Sequence, residues 1–372
     1  MEVGGRTVEL FAGGGGAALG LDRALNLHPV ALVEHDHEAC ETLRAVGYDN
    51  VIENDVRNVE WSSFKEIDLM WASPPCQAFS IAAHNSTSEA VRGAEADNNG
   101  WPWTLDAVDG CEPTWFIGEN VANLTYHSAE FCGDMSQCPG CYWDGWIIPE
   151  FRKRFKWVSW VMLDAADYGV PQRRRRVFLV AGPRPVIWPK PTHRDPKKIQ
   201  PNLFGETFSP WVTIRNALGL HYVRPDLVHL DIEDDGQPFE TWRLDMPSPA
   251  VTARDVRGAR HQQFDPRATP MTASDATWRA FRHRRLSIGE ASALQGFPLG
   301  YPWQGTKNSQ YRQVGNAVPP PVAQALGAAI KEAHEQSNLG RKTGCRPGST
   351  NSEQRNDGGQ AQDGNQRQAE EC

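Results

Sequence analysis

Two periodicities alternate along the first 75 positions of the chain. Short apolar runs at Thr7 to Leu10, Ala31 to Glu34 and Ile67 to Trp71 predict strands, and the amphipathic stretches Ala17 to Asn26 and His37 to Val46 between them predict helices. This βαβαβ rhythm predicts a parallel sheet with helices on its faces. Trp115 to Gly118, Val158 to Leu163 and Val177 to Ala181 are further apolar runs of strand length and extend the same sheet. Between Trp188 and Arg285 the rhythm breaks into Pro-rich, charge-rich sequence, which predicts a separate, irregular module. Helical patterns return at Ile288 to Leu294 and at Val322 to Glu335, the latter preceded by Pro319 to Pro321. From Ser337 the sequence is Gln, Asn, Gly, Ser and charge. Such a stretch buries too little apolar surface to offset the entropy of ordering, so 337–372 is expected to be a disordered tail.

A length of 372 residues suits two domains, or one large domain carrying an insertion. No run approaches the roughly 18 apolar residues of a membrane span. Met1 to Arg6 lacks the apolar stretch of a secretory signal, so the cysteines are expected in a reducing, cytoplasmic compartment. A net charge of −8 argues, taken alone, against a general nucleic-acid binder. The distribution changes that picture, because basic residues cluster at Arg152 to Lys156, Arg173 to Arg176, Arg254 to Arg260 and Arg282 to Arg285 and leave room for a local basic face.

Phe11-Ala12-Gly13-Gly14-Gly15-Gly16 follows the first strand and opens a helix, where glycine permits a sharp turn and the close approach of a ligand. No Walker lysine comes after it and the GxGxxG spacing is not met, so a ligand without phosphates fits better. Glu34 ends the second strand, where a carboxylate can take both hydroxyls of a ribose, and Asp55 is placed to accept from an adenine amine. Together they describe an adenosine site; the alternative is a simple tight turn with a solvated strand end.

Ser73-Pro74-Pro75-Cys76-Gln77 sets a cysteine just beyond a buried strand, at the carboxyl edge where ligands bind in open α/β sheets. A thiol near the amides of such a turn can serve as a nucleophile. Glu119-Asn120-Val121 ends another strand and Gln172 to Arg176 leads into a third, so cysteine, glutamate and arginine converge on one edge. The glycine loop, the Pro75-Cys76-Gln77 turn, Glu119-Asn120-Val121, Gln172 to Arg176, Leu294-Gln295-Gly296-Phe297-Pro298 and Gln313-Val314-Gly315-Asn316-Ala317-Val318-Pro319 occur in that order. In this the chain resembles the DNA (cytosine-5) methyltransferases of prokaryotic or phage type, over residues 1 to 336.

The resemblance implies a Rossmann-like S-adenosylmethionine-dependent sheet domain, formed by 1–187 and 286–336, with a smaller target-recognition domain at 188–285. It implies that Cys76 attacks C6 of a cytosine flipped out of double-stranded DNA, that Glu119 stabilises the protonated base, and that Arg174 and Arg176 steady the base and the catalytic loop. S-adenosylmethionine would be held by Phe11, Gly13, Gly15, Glu34, Asp55, Pro75, Asn316 and Val318. Ala78 to Gly100 would form the mobile loop, with Gly93 and Gly100 giving it flexibility. The expected role is restriction-modification, with a cognate endonuclease, or phage self-protection, by a monomer without regulatory domains. The tRNA-directed branch of the fold is an alternative, although its Cys-Phe-Thr signature is missing; a catalytically silent DNA-binding relative is another.

Two features lie outside that pattern. His127, Cys132, Cys138 and Cys141 have the spacing of a small zinc knuckle, with His127 or Cys111 as fourth ligand; unliganded thiols in a loop are the other reading. The acidic run Asp231 to Asp235 sits awkwardly against DNA and is expected to point away as a loop.

Overall fold

A computed structural model describes residues 5–26, 29–75, 99–129, 131–199, 207–219, 229–234, 237–251 and 286–342, with backbone alone for 229–243 and 337–342 within these ranges. Seven strands form the central sheet: β1 (Arg6–Leu10), β2 (Ala31–Glu34), β3 (Val51–Glu53), β4 (Ile67–Ala72), β5 (Trp115–Val121), β6 (Trp157–Asp164) and β7 (Arg175–Gly182), in the order β3-β2-β1-β4-β5-β7-β6. β1 to β5 pair in parallel, and β7 runs antiparallel between β5 and β6. The order reverses between β1 and β4, which opens a crevice at their carboxyl ends, the usual binding place of such sheets. Two short pairs lie apart from this sheet: β8 (His193–Arg194) beside β9 (Ser209–Pro210), and β10 (His229–Asp234) beside β11 (Gln237–Arg243).

Alternation along each central strand sends side chains into two cores. Met70, Phe116, Val177 and Leu179 face one layer with Trp101, Trp143 and Phe151, whereas Trp71, Trp115, Ile117 and Phe178 face the other with Leu21, Val322 and Leu326. Near-continuous apolar strands are what a sheet covered on both faces requires. The second layer is made by α1 (Gly16–Leu25) packing on the helix Pro320–Lys342, so the last helix in sequence completes the first domain in space. Remaining helices are α2 (His37–Val46), α3 (Trp101–Cys111), α4 (Pro139–Tyr142), α5 (Ile148–Arg154), α6 (Ile214–Ala217), α7 (Ile288–Leu294) and α8 (Lys307–Asn316), which makes Pro320–Lys342 α9. A π-helical stretch, Trp143–Ile147, joins α4 to α5 without a break.

Ile214, Leu218, Leu244 and Val251 share a third core with Leu286, Leu294, Phe297, Trp303, Tyr311 and Val314. The stretch after 286 therefore packs with the described part of the irregular module as well as with the glycine loop. Two expectations need correction. Asp231–Asp234 is not a loop: it lies in β10, paired antiparallel with β11, and Leu230 and Ile232 alternate with the acids at a strand's two-residue period. The backbone of α9 also stays helical to Lys342, past Ser337 where composition sets the start of the tail. Residues 343–372, the arginine clusters 254–260 and 282–285, and residues 76–98, with Cys76 and all of the expected mobile loop but its last two positions, lie outside the described residues.

Candidate functional site

The candidate residues gather at the carboxyl ends of β1, β2, β4 and β5 and, because β7 runs antiparallel, at its start. Phe11, immediately after β1, has φ +57, a left-handed conformation rare for an aromatic residue and costly unless its surroundings enforce it. Gly13 is also left-handed at φ +52, and a Cβ built on it would meet nothing within 4 Å, so the loop leaves an open cradle there. Gly15, at φ +83, is instead packed against Leu43 and the Tyr301 hydroxyl.

Glu34 reaches into this loop from the end of β2. Its carboxylate accepts from the backbone N–H of Gly13 at 2.8 Å and from those of His35 and Asp36 at 2.9 Å each. Burial alone would raise its pKa, but hydrogen bonds from His35, Asp36 and Gly13 outweigh it and hold the group below the usual carboxylate range. Glu34 is thus an oriented anion with lone pairs directed by the backbone. Asp55, capping a short 3₁₀ turn, takes two hydrogen bonds from the Arg57 side chain, which lower its pKa to about 2. Arg57 itself lies 4.7 Å over the Trp103 ring.

On the other side of the crevice, Asn120 donates through Nδ2 to the carbonyl of Pro74 at 3.2 Å and so clamps the Pro74-Pro75 turn. Gly100, at the start of α3, closes against the same turn: a Cβ there would come within 2.8 Å of both prolines and 3.0 Å of the Phe11 ring. Gly100 is therefore a close-approach glycine with right-handed helical φ and ψ, not the flexible hinge the sequence suggests.

Glu119 and Arg176 face each other across β5 and β7 with Nε and Oε1 3.1 Å apart, and both side chains are largely buried. Desolvation raises the Glu119 pKa, opposed by the charges of Arg176 and Arg174. Period-two alternation explains why the arginine run is not a solvated strand start throughout: Arg174 and Arg176 turn inward, while Arg173 and Arg175 stay outside. Arg174 donates to the carbonyls of Val251 at 3.1 Å and Asn316 at 3.5 Å, which ties the sheet to the irregular module and to the end of α8. Asn316 is exposed at that helix end, whereas the Val318 side chain lies in the core with Leu21 and Val322.

Several residues were not singled out by sequence reasoning. Gln172 and Gln295 are fully buried and hydrogen-bonded to each other; Gln172 also accepts from Val251 N–H, and Gln295 donates to the carbonyls of Val314 and Ala317. Both stand in the quoted motifs, which was the available signal. Asn120 had the same signal. Glu9, in β1, had only its charge within an apolar run: it is 3 % exposed, accepts from the Ala18 N–H, and desolvation pushes its pKa up to about 8.

Beyond Val121 the chain forms the second feature. His127, Cys132, Cys138 and Cys141 bring their ligand atoms within 4.8 Å of one another. Cys132 Sγ lies 3.9 Å from Cys141 Sγ and 3.8 Å from His127 Nδ1, and Cys141 Sγ is 3.5 Å from Nδ1. Backbone N–H groups of Ser128 and Gly133 donate to the sulfurs of Cys138 and Cys141, and His127 Nε2 contacts Asp144 at 3.1 Å. Cys111, the other suggested ligand, is buried elsewhere with Sγ on the Trp61 carbonyl, so it does not complete this cluster.

Comparison with known proteins fits this geometry. The chain matches the family described as C-5 cytosine-specific DNA methylase over residues 5–332. It is 30 % identical over 344 residues to the Type II methyltransferase M.NgoMIV of Neisseria gonorrhoeae, covering 89 % of this chain and 99 % of that one. It is 26 % identical to the Type II methyltransferase M1.HphI of Haemophilus parahaemolyticus, covering 87 % and 86 %. Among solved structures the fold resembles S. pombe Dnmt2 methyltransferase, at 15 % identity and a TM-score of 0.55, over 88 % of this chain and 99 % of that one.

Proposed function

This chain belongs to the C-5 cytosine-specific DNA methylases, and from that membership we propose how its own residues move a methyl group to C5 of cytosine in DNA. S-adenosylmethionine, the family's methyl donor, supplies an electrophilic methyl group when bound. The residues present suit it: an open cradle at Gly13, an oriented ribose-type acceptor in Glu34, an anionic Asp55 and the Phe11 ring at the crevice mouth. Pro75 walls the same crevice, Gly15 shapes the loop, and Asn316 and the backbone at Val318 flank it.

C5 of cytosine is a poor nucleophile until C6 has been attacked. Cys76, next in the chain after the clamped Pro74-Pro75 turn, is the proposed nucleophile: its thiolate adds to C6 and the ring electrons shift toward N3. Glu119, protonated, donates to N3 as that charge develops, and Arg176 holds its carboxyl in place. After C5 takes the methyl group, loss of the C5 proton expels the thiolate. Access requires extrusion of the base from the duplex, and 188–285 is the proposed reader of the DNA site. The observation that carries this reading is the buried Glu119–Arg176 pair on the edge beside the Pro74-Pro75 turn and the glycine cradle. A restriction-modification role with a cognate endonuclease is proposed from the Type II relatives, and a monomeric state and action in the cytoplasm are proposed alongside it.

The test incubates protein with S-adenosylmethionine and unmodified DNA of varied sequence, followed by nucleoside mass spectrometry and single-base mapping. 5-Methylcytosine at a fixed site is expected, and Cys76→Ser should abolish it while DNA binding survives; unchanged transfer would overturn the nucleophile assignment.

For the knuckle, a tetrahedral zinc with Zn–S of about 2.3 Å and Zn–N of about 2.0 Å has S···S edges of about 3.8 Å and S···N edges of about 3.5 Å. The His127, Cys132 and Cys141 donor atoms stand close to those spacings, Cys138 Sγ lies within 4.8 Å of them, and Asp144 orients the histidine ring as carboxylates commonly do for ligating imidazoles. Structural zinc is therefore the proposed occupant, held by His127, Cys132, Cys138 and Cys141. About one zinc per chain is expected on metal analysis after non-chelating purification, and none would remove the idea.

A further inference from the structure

The knuckle is wired to the crevice at two points. One lead runs back along the chain: His127 follows the 3₁₀ turn Ala122–Thr125, which follows Asn120, the residue that clamps the Pro74 carbonyl. The other leaves through Tyr142, next to the ligand Cys141. The Tyr142 hydroxyl accepts from Asn99 Nδ2 at 2.8 Å, both residues are about 4 % exposed, and the Tyr142 ring is stacked on Trp146 at 5.1 Å. Asn99 in turn accepts from Trp101 N–H through Oδ1 and precedes Gly100, whose backbone presses against Pro74, Pro75 and the Phe11 ring.

Asn120 and Gly100 thus hold the Pro74-Pro75 turn from two sides, and the knuckle adjoins both: it follows Asn120 along the chain and meets Asn99, beside Gly100, through Tyr142. His127 packs against Gly140 so closely that a Cβ there would lie 2.8 Å from its backbone N, and Gly140 N–H donates to the Tyr126 carbonyl. Backbone hydrogen bonds already shape this compact turn, and a metal bound by its three thiols and imidazole would cross-link its two ends as well.

We propose that the metal-bound knuckle is a positioning device for the cofactor crevice, acting through the Tyr142–Asn99 hydrogen bond on Gly100 and so on the wall formed by Pro75 and Phe11. This rests on the zinc reading and on the assignment of the crevice to S-adenosylmethionine. Tyr142 is 4 % exposed and acts through Asn99, so it is a positioning residue, and its mark is a change in cofactor affinity without a change in fold.

The experiment compares wild-type protein, Tyr142→Phe, Cys141→Ser and the double variant, with zinc content, thermal stability and S-adenosylmethionine affinity measured on each. Tyr142→Phe is expected to keep its zinc and to melt within a few degrees of wild type, yet to bind S-adenosylmethionine about five-fold more weakly, the scale of one buried hydrogen bond. The Michaelis constant for the cofactor should rise with it while that for DNA stays put. Loss of zinc, by Cys141→Ser or by chelation of the wild type, should give a similar weakening, and Tyr142→Phe should add little on top. Unchanged affinity in Tyr142→Phe would overturn the proposal, as would fully additive effects. Wild-type protein without zinc would overturn both the metal reading and the coupling, and is told apart from failure of the coupling alone by its metal content.

Discussion

Glu9 and Glu119 are both buried carboxyls at the same sheet, and their surroundings give them different work. Glu119 has two guanidinium charges near it, so burial raises its pKa against a counterforce. Because the proposed chemistry uses the protonated form, the methylation rate should fall as pH rises through the elevated Glu119 value. Glu119→Gln, which cannot transfer a proton, should cut kcat by about 10²- to 10⁴-fold and flatten that limb of the pH–rate profile. At Glu9 burial dominates, and the negative Glu34 nearby adds to the upward push. Between pH 4.5 and about 8 the folded chain keeps a proton on Glu9 that the unfolded chain releases. Its contribution to stability is therefore complete below that window and is lost as pH rises through it. Glu9→Gln, which keeps an oxygen for the Ala18 N–H and carries no charge, should gain stability relative to wild type from pH 5.5 to pH 8.5, measured by urea denaturation at each pH; parallel curves would contradict this.

At the scale of elements, the contact that closes the catalytic domain is α1 on α9. Gly20 in α1 sits against the backbone of α9's first turn, where a Cβ would lie 2.4 Å from the Pro320 carbonyl and 2.6 Å from the Ala323 Cβ. Alanine is the better helix former by about 1 kcal/mol, so an isolated helix would gain from Gly20→Ala. In this protein the clash is with backbone, which cannot swing aside, and overpacking of that kind costs about 1–3 kcal/mol. Gly20→Ala should therefore destabilise the chain, seen as a lower denaturation midpoint with an unchanged slope. The same packing shows how an element distant in sequence becomes necessary. α9 covers Trp71, Trp115 and Phe178 from the second layer, and without it those faces of the central strands would meet water.

Taken whole, the molecule is held at its middle by long-range polar ties. Gln172 and Gln295, 123 positions apart, join the approach to β7 with α7 and α8, and Arg174 reaches both Val251 and Asn316. These ties fix the sheet edge against the module after it. For the chain after Lys342 composition predicts disorder. A chain ending at Lys342 should fold and methylate DNA as the full chain does, while one ending at Pro319 should fail to fold; circular dichroism and the mass-spectrometric assay read both.

The strands at Thr7 to Leu10, Ala31 to Glu34, Ile67 to Trp71 and Val177 to Ala181 were legible because burial on both faces writes a dense apolar run, a local property of the chain. Turn residues were legible for the same reason: Gly13, the Pro74-Pro75 pair and the cluster His127, Cys132, Cys138 and Cys141 are marked by residue type and spacing. The loop expected at Asp231 to Asp235 failed because charge was weighed above the alternation of Leu230 and Ile232. Gly100 was misread because a glycine in sequence reports freedom, whereas its use depends on what approaches it, here Pro74, Pro75 and Phe11. Residue order alone was enough to specify the class of sheet and the succession of family motifs. It took the folded packing to establish that Glu119 faces Arg176, that Asn120 and Gly100 grip one turn, and that Glu9 is buried where desolvation raises its pKa. Those outcomes depend on burial and on partners brought together across the sheet, and periodicity along the chain carries information about neither.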